Sequence, residues 1–235
     1  MGAIFKREVI SFFKNPLVYV VMAIYAFLSS IIFLLFVVWN NTSYLGEYFG
    51  FWLFFVEMVV ISVLSMKFFS EERRNKTDQL LLTSPISLYS LVAGKFLGAM
   101  VVYLAVTAIN IPYILIIDIF GTLDYGALWA NLLGTLLVGM AMVSIGLFVS
   151  SFTESQILAV AGTFSVFFFM YVVNFISGFI PNLFFSNLIN NFSLFSRFQD
   201  FTNGILSIAP IVYYLSMCFT FLFLTIRSIE KRRWS

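Results

Sequence analysis

The sequence has no histidine, one cysteine and few charged residues. Only 10% of its 235 residues are charged, against about a quarter in ordinary globular domains. Without histidine the chain lacks the commonest general base and metal ligand. Cys218 has no second cysteine to pair with and lies within an apolar run, so we interpret it as a small packing residue. These absences exclude an ordinary soluble domain and an intrachain disulfide.

Apolar residues are abundant: 61% of the chain is hydrophobic and its mean hydropathy is +1.01. The apolar runs are continuous, without the alternation of polar and apolar residues that an outer-membrane barrel needs. They predict an all-α polytopic membrane protein that forms one transmembrane domain over residues 1–235. The six predicted spans cover about residues 17–38, 48–69, 87–117, 127–149, 157–176 and 205–226.

The N-terminal residues Ile4 to Lys14 are amphipathic. Their apolar side chains fall on one half of a helix and their basic side chains on the other, with Glu8 at the apolar edge. The pattern predicts a helix that lies in the membrane interface. A plain tail that only sets the topology is the alternative.

The segment from Ser177 to Gly204 is too polar to cross a membrane. Aromatic and apolar side chains recur in it at helical spacing, which predicts one or two short amphipathic helices. The residues that carry this pattern are Phe184, Phe185, Leu188, Phe192 and Phe195.

The positions of the basic residues predict the orientation. If the N-terminus is cytoplasmic, twelve of the 13 Lys and Arg lie on the cytoplasmic side and only Arg197 lies outside. Both termini, the charged stretch between spans two and three and the turn that contains Glu154 are then cytoplasmic. The segment from Ser177 to Gly204 is extracytoplasmic.

No motif in the sequence supports catalysis by this chain. A nucleotide site needs a glycine-rich loop to hold phosphates, and the sequence has none. Inside the predicted spans the acidic residues are Glu57 and, at a boundary, Asp118, which form no catalytic or metal-binding set. The net charge of +2 gives no reason to expect nucleic acid as a partner.

Glu57, Asn110 and Asn174 are polar residues within predicted spans. A carboxylate in the middle of a membrane is costly and usually faces a partner or a water-filled cavity. Glu57 therefore either lines a substrate path or forms a hydrogen bond that holds two helices together, and both interpretations stay open. For Asn110 and Asn174 we favour helix packing over ligand binding.

The charged stretch between spans two and three is the most specific polar feature. As one helix, Glu71 to Leu82 would be about 18 Å long, with Glu71 and Glu72 at its N-terminus, where the helix dipole favours them. Leucines give it an apolar end, and Pro85 follows as a stop. Such a helix suits docking into a groove of a soluble partner. An ordinary solvated loop is the alternative.

The run Glu71-Glu72-Arg73-Arg74, Thr77 and the segment Leu80-Leu81-Leu82-Thr83-Ser84-Pro85 resemble the cytoplasmic loop of type-two ABC exporter permeases. Residues 195–204 and 212–214 are similar to the same class, particularly to gliding-motility-type permeases. Two positions depart from the pattern: Lys76 stands where the family often has glycine, and Gln79 where it often has glutamate. With six spans and short loops, the resemblance covers essentially the whole chain.

The resemblance implies a permease subunit of the bacterial cytoplasmic membrane that forms a homodimer or heterodimer around a translocation path. A separate cytoplasmic ATPase would bind ATP and Mg, and this chain would contact that ATPase through a coupling helix. The implied contact residues are Glu71, Glu72, Arg73, Arg74, Thr77, Asp78, Gln79, Leu80, Leu81, Pro85 and Glu154. The amphipathic segment would be an extracytoplasmic hairpin that dips into the outer leaflet. Membrane lipid is a further expected partner.

Two other classes of function are alternatives to the permease. A channel or membrane scaffold that works without an ATPase is the main alternative. An integral membrane enzyme is disfavoured because the chain has so few acid–base groups within its spans.

Overall fold

The computed structural model describes residues 2–40, 42, 44–77, 87–177 and 193–233, and these contain helices and turns but no strand. The helices in these ranges are α1 (Gly2–Lys14), α2 (Pro16–Phe33), α3 (Leu45–Phe49), α4 (Phe51–Ser65), α5 (Glu71–Arg74), α6 (Leu88–Thr107), α7 (Ile111–Phe120), α8 (Tyr125–Ser150), α9 (Gln156–Ser177), α10 (Leu194–Thr202) and α11 (Ile208–Arg233). Two π-helical turns, Leu34–Val38 and Met66–Ser70, and one 3-10 turn, Ala108–Asn110, continue or join them.

Six stretches of helix are long and apolar enough to cross a membrane. They are Pro16–Val38, Trp52–Arg74, Leu88–Phe120, Tyr125–Ser150, Gln156–Asn174 and Ile208–Arg232, called spans one to six below. The predicted all-α polytopic fold with six spans is therefore confirmed. Span two ends later than predicted, at Arg74, because its helix runs through Ser70 without a break.

Spans two and four form the centre of the bundle. In the most apolar 18-residue stretch of each of these two spans, 78% and 67% of the residues are buried, whereas the corresponding share in the other four spans is between 22% and 39%. Span four packs against spans two, three, five and six. Small residues make this possible: Gly139 leaves room for the ring of Tyr103, which a Cβ at that position would overlap.

The N-terminal helix α1 is confirmed as a helix, and it packs along the start of α6. Its buried positions are Ile4, Glu8 and Phe12, one helical turn apart. Asn15 then ends α1 and caps α2, since its side-chain oxygen accepts a hydrogen bond from the backbone N–H of Leu17 at 2.9 Å. Glu8, which the sequence places at the edge of the apolar half, is therefore buried in the protein.

The described part of the predicted amphipathic segment is α10. Its face with Phe195, Phe198 and Phe201 is buried, and the rings of Phe195 and Phe198 lie 5.2 and 5.4 Å from that of Phe54 in span two. Phe195 therefore packs inside the protein. Phe184, Phe185, Leu188 and Phe192 lie outside the described residues.

Candidate functional site

Most of the ion pairs in the described residues gather at one end of the bundle, here called the charged end. It consists of α1, residues 66–77, the start of α6 and residues 150–156. The C-terminal part of α11 lies at the same end, because the hydroxyls of Ser151 and Ser228 are 3.0 Å apart. Residues far apart in the sequence thus meet around the last turns of span two.

A π-helical turn joins span two to span four at this end. The backbone N–H groups of Phe69 and Ser70 donate hydrogen bonds to the Ser150 hydroxyl oxygen, at 2.9 and 3.0 Å. All three residues are buried. The turn therefore directs two backbone donors out of the helix and fixes the end of span two to the end of span four.

The expectation of one helix from Glu71 to Leu82 is wrong. Glu71–Arg74 is the end of the span-two helix, which closes with a hydrogen bond from Asn75 N–H to Glu71 O at 3.0 Å. The chain then reverses at Lys76, whose φ is 56°. The acidic residues thus lie near a helix C-terminus, where the dipole disfavours them, and nearby cations must compensate. Asp78, Gln79, Leu80, Leu81 and Pro85 lie outside the described residues.

The main compensating cation is Lys95, about two turns into α6. Its ammonium is enclosed by the protein, and the residue is 2% exposed. Nζ donates hydrogen bonds to Glu8 Oε1 at 3.3 Å and to the Phe68 carbonyl at 3.2 Å. It also forms an ion pair with Glu72 Oε2 at 2.9 Å. One side chain thereby joins α1, span two and span three.

Arg7 adds a second cation to the same two carboxylates. Its guanidinium Nη2 is 2.7 Å from Glu8 Oε1 and 3.0 Å from Glu72 Oε1. Partial burial disfavours the charged guanidinium, but the two carboxylates outweigh that effect and raise the pKa of Arg7. Two cations and two anions therefore balance within this cluster, called the Lys95 cluster below.

Two glycines on either side of Lys95 bring α1 close enough to form the cluster. A Cβ at Gly94 would lie 2.8 Å from Ile4 Cγ2, and one at Gly98 would lie 2.8 Å from Glu8 Cβ. Real side chains do not approach that closely, so any larger residue would push α1 away. The two glycines thus let α1 and α6 come into contact, and Lys95 between them pairs with the carboxylates of Glu8 and Glu72.

The other side of span two faces the turn between spans four and five. Arg73 Nη2 is 2.9 Å from Glu154 Oε1, and its Nη1 donates to the Ser151 carbonyl at 3.1 Å. Arg74 donates to the Gln156 side chain at 2.8 Å. These contacts are more open to water, since the Glu154 side chain is 67% exposed.

The predicted ATPase-contacting residues that the structure describes thus differ in exposure: Glu71, Glu72 and Arg73 are partly buried, and the others are exposed. Glu72 and Arg73 have partners within the chain, and Glu71 lies 3.9 Å from Lys67 Nζ of its own helix. Arg74 and Thr77 are exposed, as is the Glu154 side chain. That all of them contact an ATPase stays a prediction.

Sequence reasoning missed Lys95, Arg7, Glu8 and Ser150 as members of this site. A signal for Lys95 was present, because a lysine between two glycines within an apolar span needs a partner. Glu8 at the edge of an apolar half was a second signal. Neither could show which residue faces which.

Glu57 and Asn110 lie away from the charged end and have neutral partners. Glu57 is 2% exposed, and the Tyr103 hydroxyl lies 3.2 Å from its Oε2 and 2.8 Å from the Thr135 carbonyl. This arrangement links spans two, three and four and supports the packing interpretation of Glu57. Whether Glu57 also lines a path stays open.

Asn110 bridges two buried tyrosines. Its Nδ2 donates to the Tyr25 hydroxyl at 2.7 Å, and its Oδ1 accepts from the Tyr48 hydroxyl at 2.8 Å. The 3-10 turn before Pro112, which has no N–H to donate, places it there. Asn174 is partly buried near the end of span five. Helix packing is the role that the geometry supports for Asn110.

The model of a family described as ABC-2 family transporter protein matches residues 42–228. No curated protein matches the chain. The matched range begins before span two and ends within α11, so it includes the charged residues of span two and Lys95, whereas α1 precedes it.

Proposed function

Because the chain belongs to the ABC-2 family of transporter proteins, it is a membrane permease of an ABC transporter, and we propose that it is the permease subunit of an exporter driven by separate ATPase subunits. ATP and Mg bind to the ATPase in this proposal. The sequence supports that division of labour, since it has no glycine-rich phosphate-binding loop. The permease itself is then not an enzyme.

The observation that carries the proposal is the charged end of the bundle. Nearly all basic residues of the chain lie at that end, which supports a cytoplasmic location for it and for both termini in a bacterial cytoplasmic membrane. An ATPase in the cytoplasm would meet this surface first. The opposite end, where the aromatic α10 packs, would face outward.

The partner's contact surface is proposed to be the turn after span two. Asn75, Lys76 and Thr77 are exposed there, and the segment 78–86 continues from them. The exposed Glu154 carboxylate and Arg74 flank this turn. Glu72 and Arg73 would act indirectly, by holding the turn in place through their contacts within the chain.

A second permease subunit is proposed to complete the path. Spans five and six support this, because most residues of their apolar stretches are not buried in the single chain. Ile157 and Phe219, for example, are 80% and 71% exposed. Lipid covers whatever part the partner leaves. The mass of the purified complex would distinguish a pair of permeases from a single one.

The proposal is tested by co-expression with the ATPase encoded beside this chain and purification through a tag on the permease. We expect the ATPase to co-purify with the wild type and with Asn40→Asp, which adds one negative charge at an exposed position of the opposite end. Leu81→Asp adds the same charge in the turn segment and should lose the ATPase. A wild type that binds no ATPase, or that conducts ions in bilayers without nucleotide, would contradict the proposal and favour the channel alternative.

A further inference from the structure

We propose that Lys95 is a positioning residue through which motion of the turn after span two reaches the N-terminal helix and span three. This inference rests on the proposed function, because an ATPase must move that turn. The Lys95 cluster would make α1, the end of span two and the start of span three respond to nucleotide as one body. Neither the family match nor the sequence pattern assigns this role to Lys95.

The first argument is the position of Lys95 relative to the turn. The segment from Asn75 to Ser87 leaves the end of span two and returns to the start of span three. Glu72 lies just before it and Lys95 two turns after it, and their charges are 2.9 Å apart. The ion pair therefore joins the two helices that flank the segment that the partner would contact.

The second argument is the number of elements that meet at one ammonium. Lys95 contacts Glu8 of α1 and both the Glu72 carboxylate and the Phe68 carbonyl of span two. Because Lys95 is 2% exposed, separating any of these elements would leave a buried charge without its partner. Such a separation is far more costly than breaking a solvated pair, so the three elements are expected to move together.

The third argument is the difference between the two sides of span two. On the side of the turn between spans four and five, the Arg73 side chain is 12% exposed and its partner Glu154 is 67% exposed, and a pair with one solvated partner separates more easily than a buried pair. On the side of α1, Gly94 and Gly98 hold the helices in close contact around the buried cation. Displacement of the turn is therefore expected to reach α1 and span three even when the Arg73–Glu154 pair is absent, while the Ser150 hydrogen bonds keep the end of span two fixed to span four.

The test uses the complete complex with its ATPase in lipid nanodiscs and follows amide hydrogen exchange with and without MgATP and vanadate. In the wild type, nucleotide should change the exchange of residues 71–77, of α1 and of residues 88–98 together. The variant carries Lys95→Met and Glu72→Gln, which removes one cation and one anion and leaves Glu8 paired with Arg7. We expect it to bind the ATPase, to keep the response of residues 71–77 and to lose that of α1.

The matched control carries Arg73→Gln and Glu154→Gln, which removes the ion pair with the more exposed carboxylate on the other side of span two. It should keep the response of α1. A response of α1 that persists in the Lys95 variant would overturn the inference. The inference would also be overturned if nucleotide changed the exchange of residues 71–77 but not that of α1 in the wild-type complex. That measurement does not depend on any variant. Failure of the wild type to bind any ATPase would instead overturn the proposed function, and this inference with it.

Discussion

Span two contains a buried glutamate, Glu57, and a partly buried one, Glu72, and their surroundings are opposite. Glu57 lies inside the bundle with the Tyr103 hydroxyl as its neighbour, whereas Glu72, about 22 Å further along the helix, lies between Lys95 and Arg7. The first carboxyl has a neutral partner and the second has two cations. The same residue type therefore serves helix packing in one place and charge pairing in the other.

The difference follows from the distance to water. Deep in a membrane each additional charge is costly, so hydroxyl and amide groups provide the partners. At the boundary, long basic side chains can enter from the aqueous side and pair with acids. The charged end can consequently join three elements through charge, while the interior joins them through single hydrogen bonds.

The largest expected effect comes from removing the central cation. Lys95→Met should lower the free energy of unfolding by about 3–5 kcal/mol, because Glu8 and Glu72 remain buried with one cation between them. At the other site, Tyr103→Phe removes a neutral hydroxyl and should cost about 1 kcal/mol. Thermal unfolding in detergent measures both. Equal shifts for the two variants would show that the contrast between the sites is not energetic.

Next in size is the close contact that only the charged end requires. Gly98→Leu should destabilise the protein by about 3 kcal/mol, since its side chain would displace α1 from α6. Gly2→Leu is the matched control, because a Cβ at Gly2 has no atom within 4 Å. Limited proteolysis near Asn15 would report release of α1. Resistance of the Gly98 variant equal to that of the control would argue against the observed packing.

Neutralising each glutamate tests the comparison directly. Glu72→Gln should cost about 2 kcal/mol, because it removes the charge that Lys95 and Arg7 face. Glu57→Gln should cost less than about 1 kcal/mol, because an amide can still hydrogen-bond to the Tyr103 hydroxyl. Melting temperatures of the two variants should therefore differ clearly. A larger loss for Glu57→Gln would indicate that its charge is needed, as the path interpretation requires.

The smallest expected effect concerns the backbone at the two ends. In the described residues the positive φ angles belong to Lys76, at 56°, and Gly204, at 76°. Lys76→Gly should stabilise the protein by about 1 kcal/mol, because glycine adopts this conformation without steric cost. Gly204→Ala should destabilise it. A melting temperature that falls for Lys76→Gly would mean that the lysine side chain contributes more than its strained backbone costs.

Lys76 shows how a departure from a family pattern acquires a physical meaning. The sequence marked it as a lysine where glycine is frequent, without a reason for the preference. The structure supplies one, because the chain reverses there after the last turn of span two. The same reversal is why the helix expected over Glu71–Leu82 is not continuous. Propensity gave a partial signal for that break, since the three poorer helix formers between Glu71 and Leu82 are Asn75, Thr77 and Asp78, which surround Lys76.

Six spans, the position of the charged stretch and the family could all be recognised from the sequence alone. Membrane spans depend on the local density of apolar residues, and the family pattern is likewise carried by contiguous residues. Which charges meet was decided by the tertiary structure. Glu8, Glu72 and Lys95 come from three separate helices. Lys95 Nζ lies 3.3 Å from Glu8 Oε1 and 2.9 Å from Glu72 Oε2 because these helices pack closely, with α1 against α6 at Gly94 and Gly98. Pairing between distant residues depends on helix packing, which no local pattern contains.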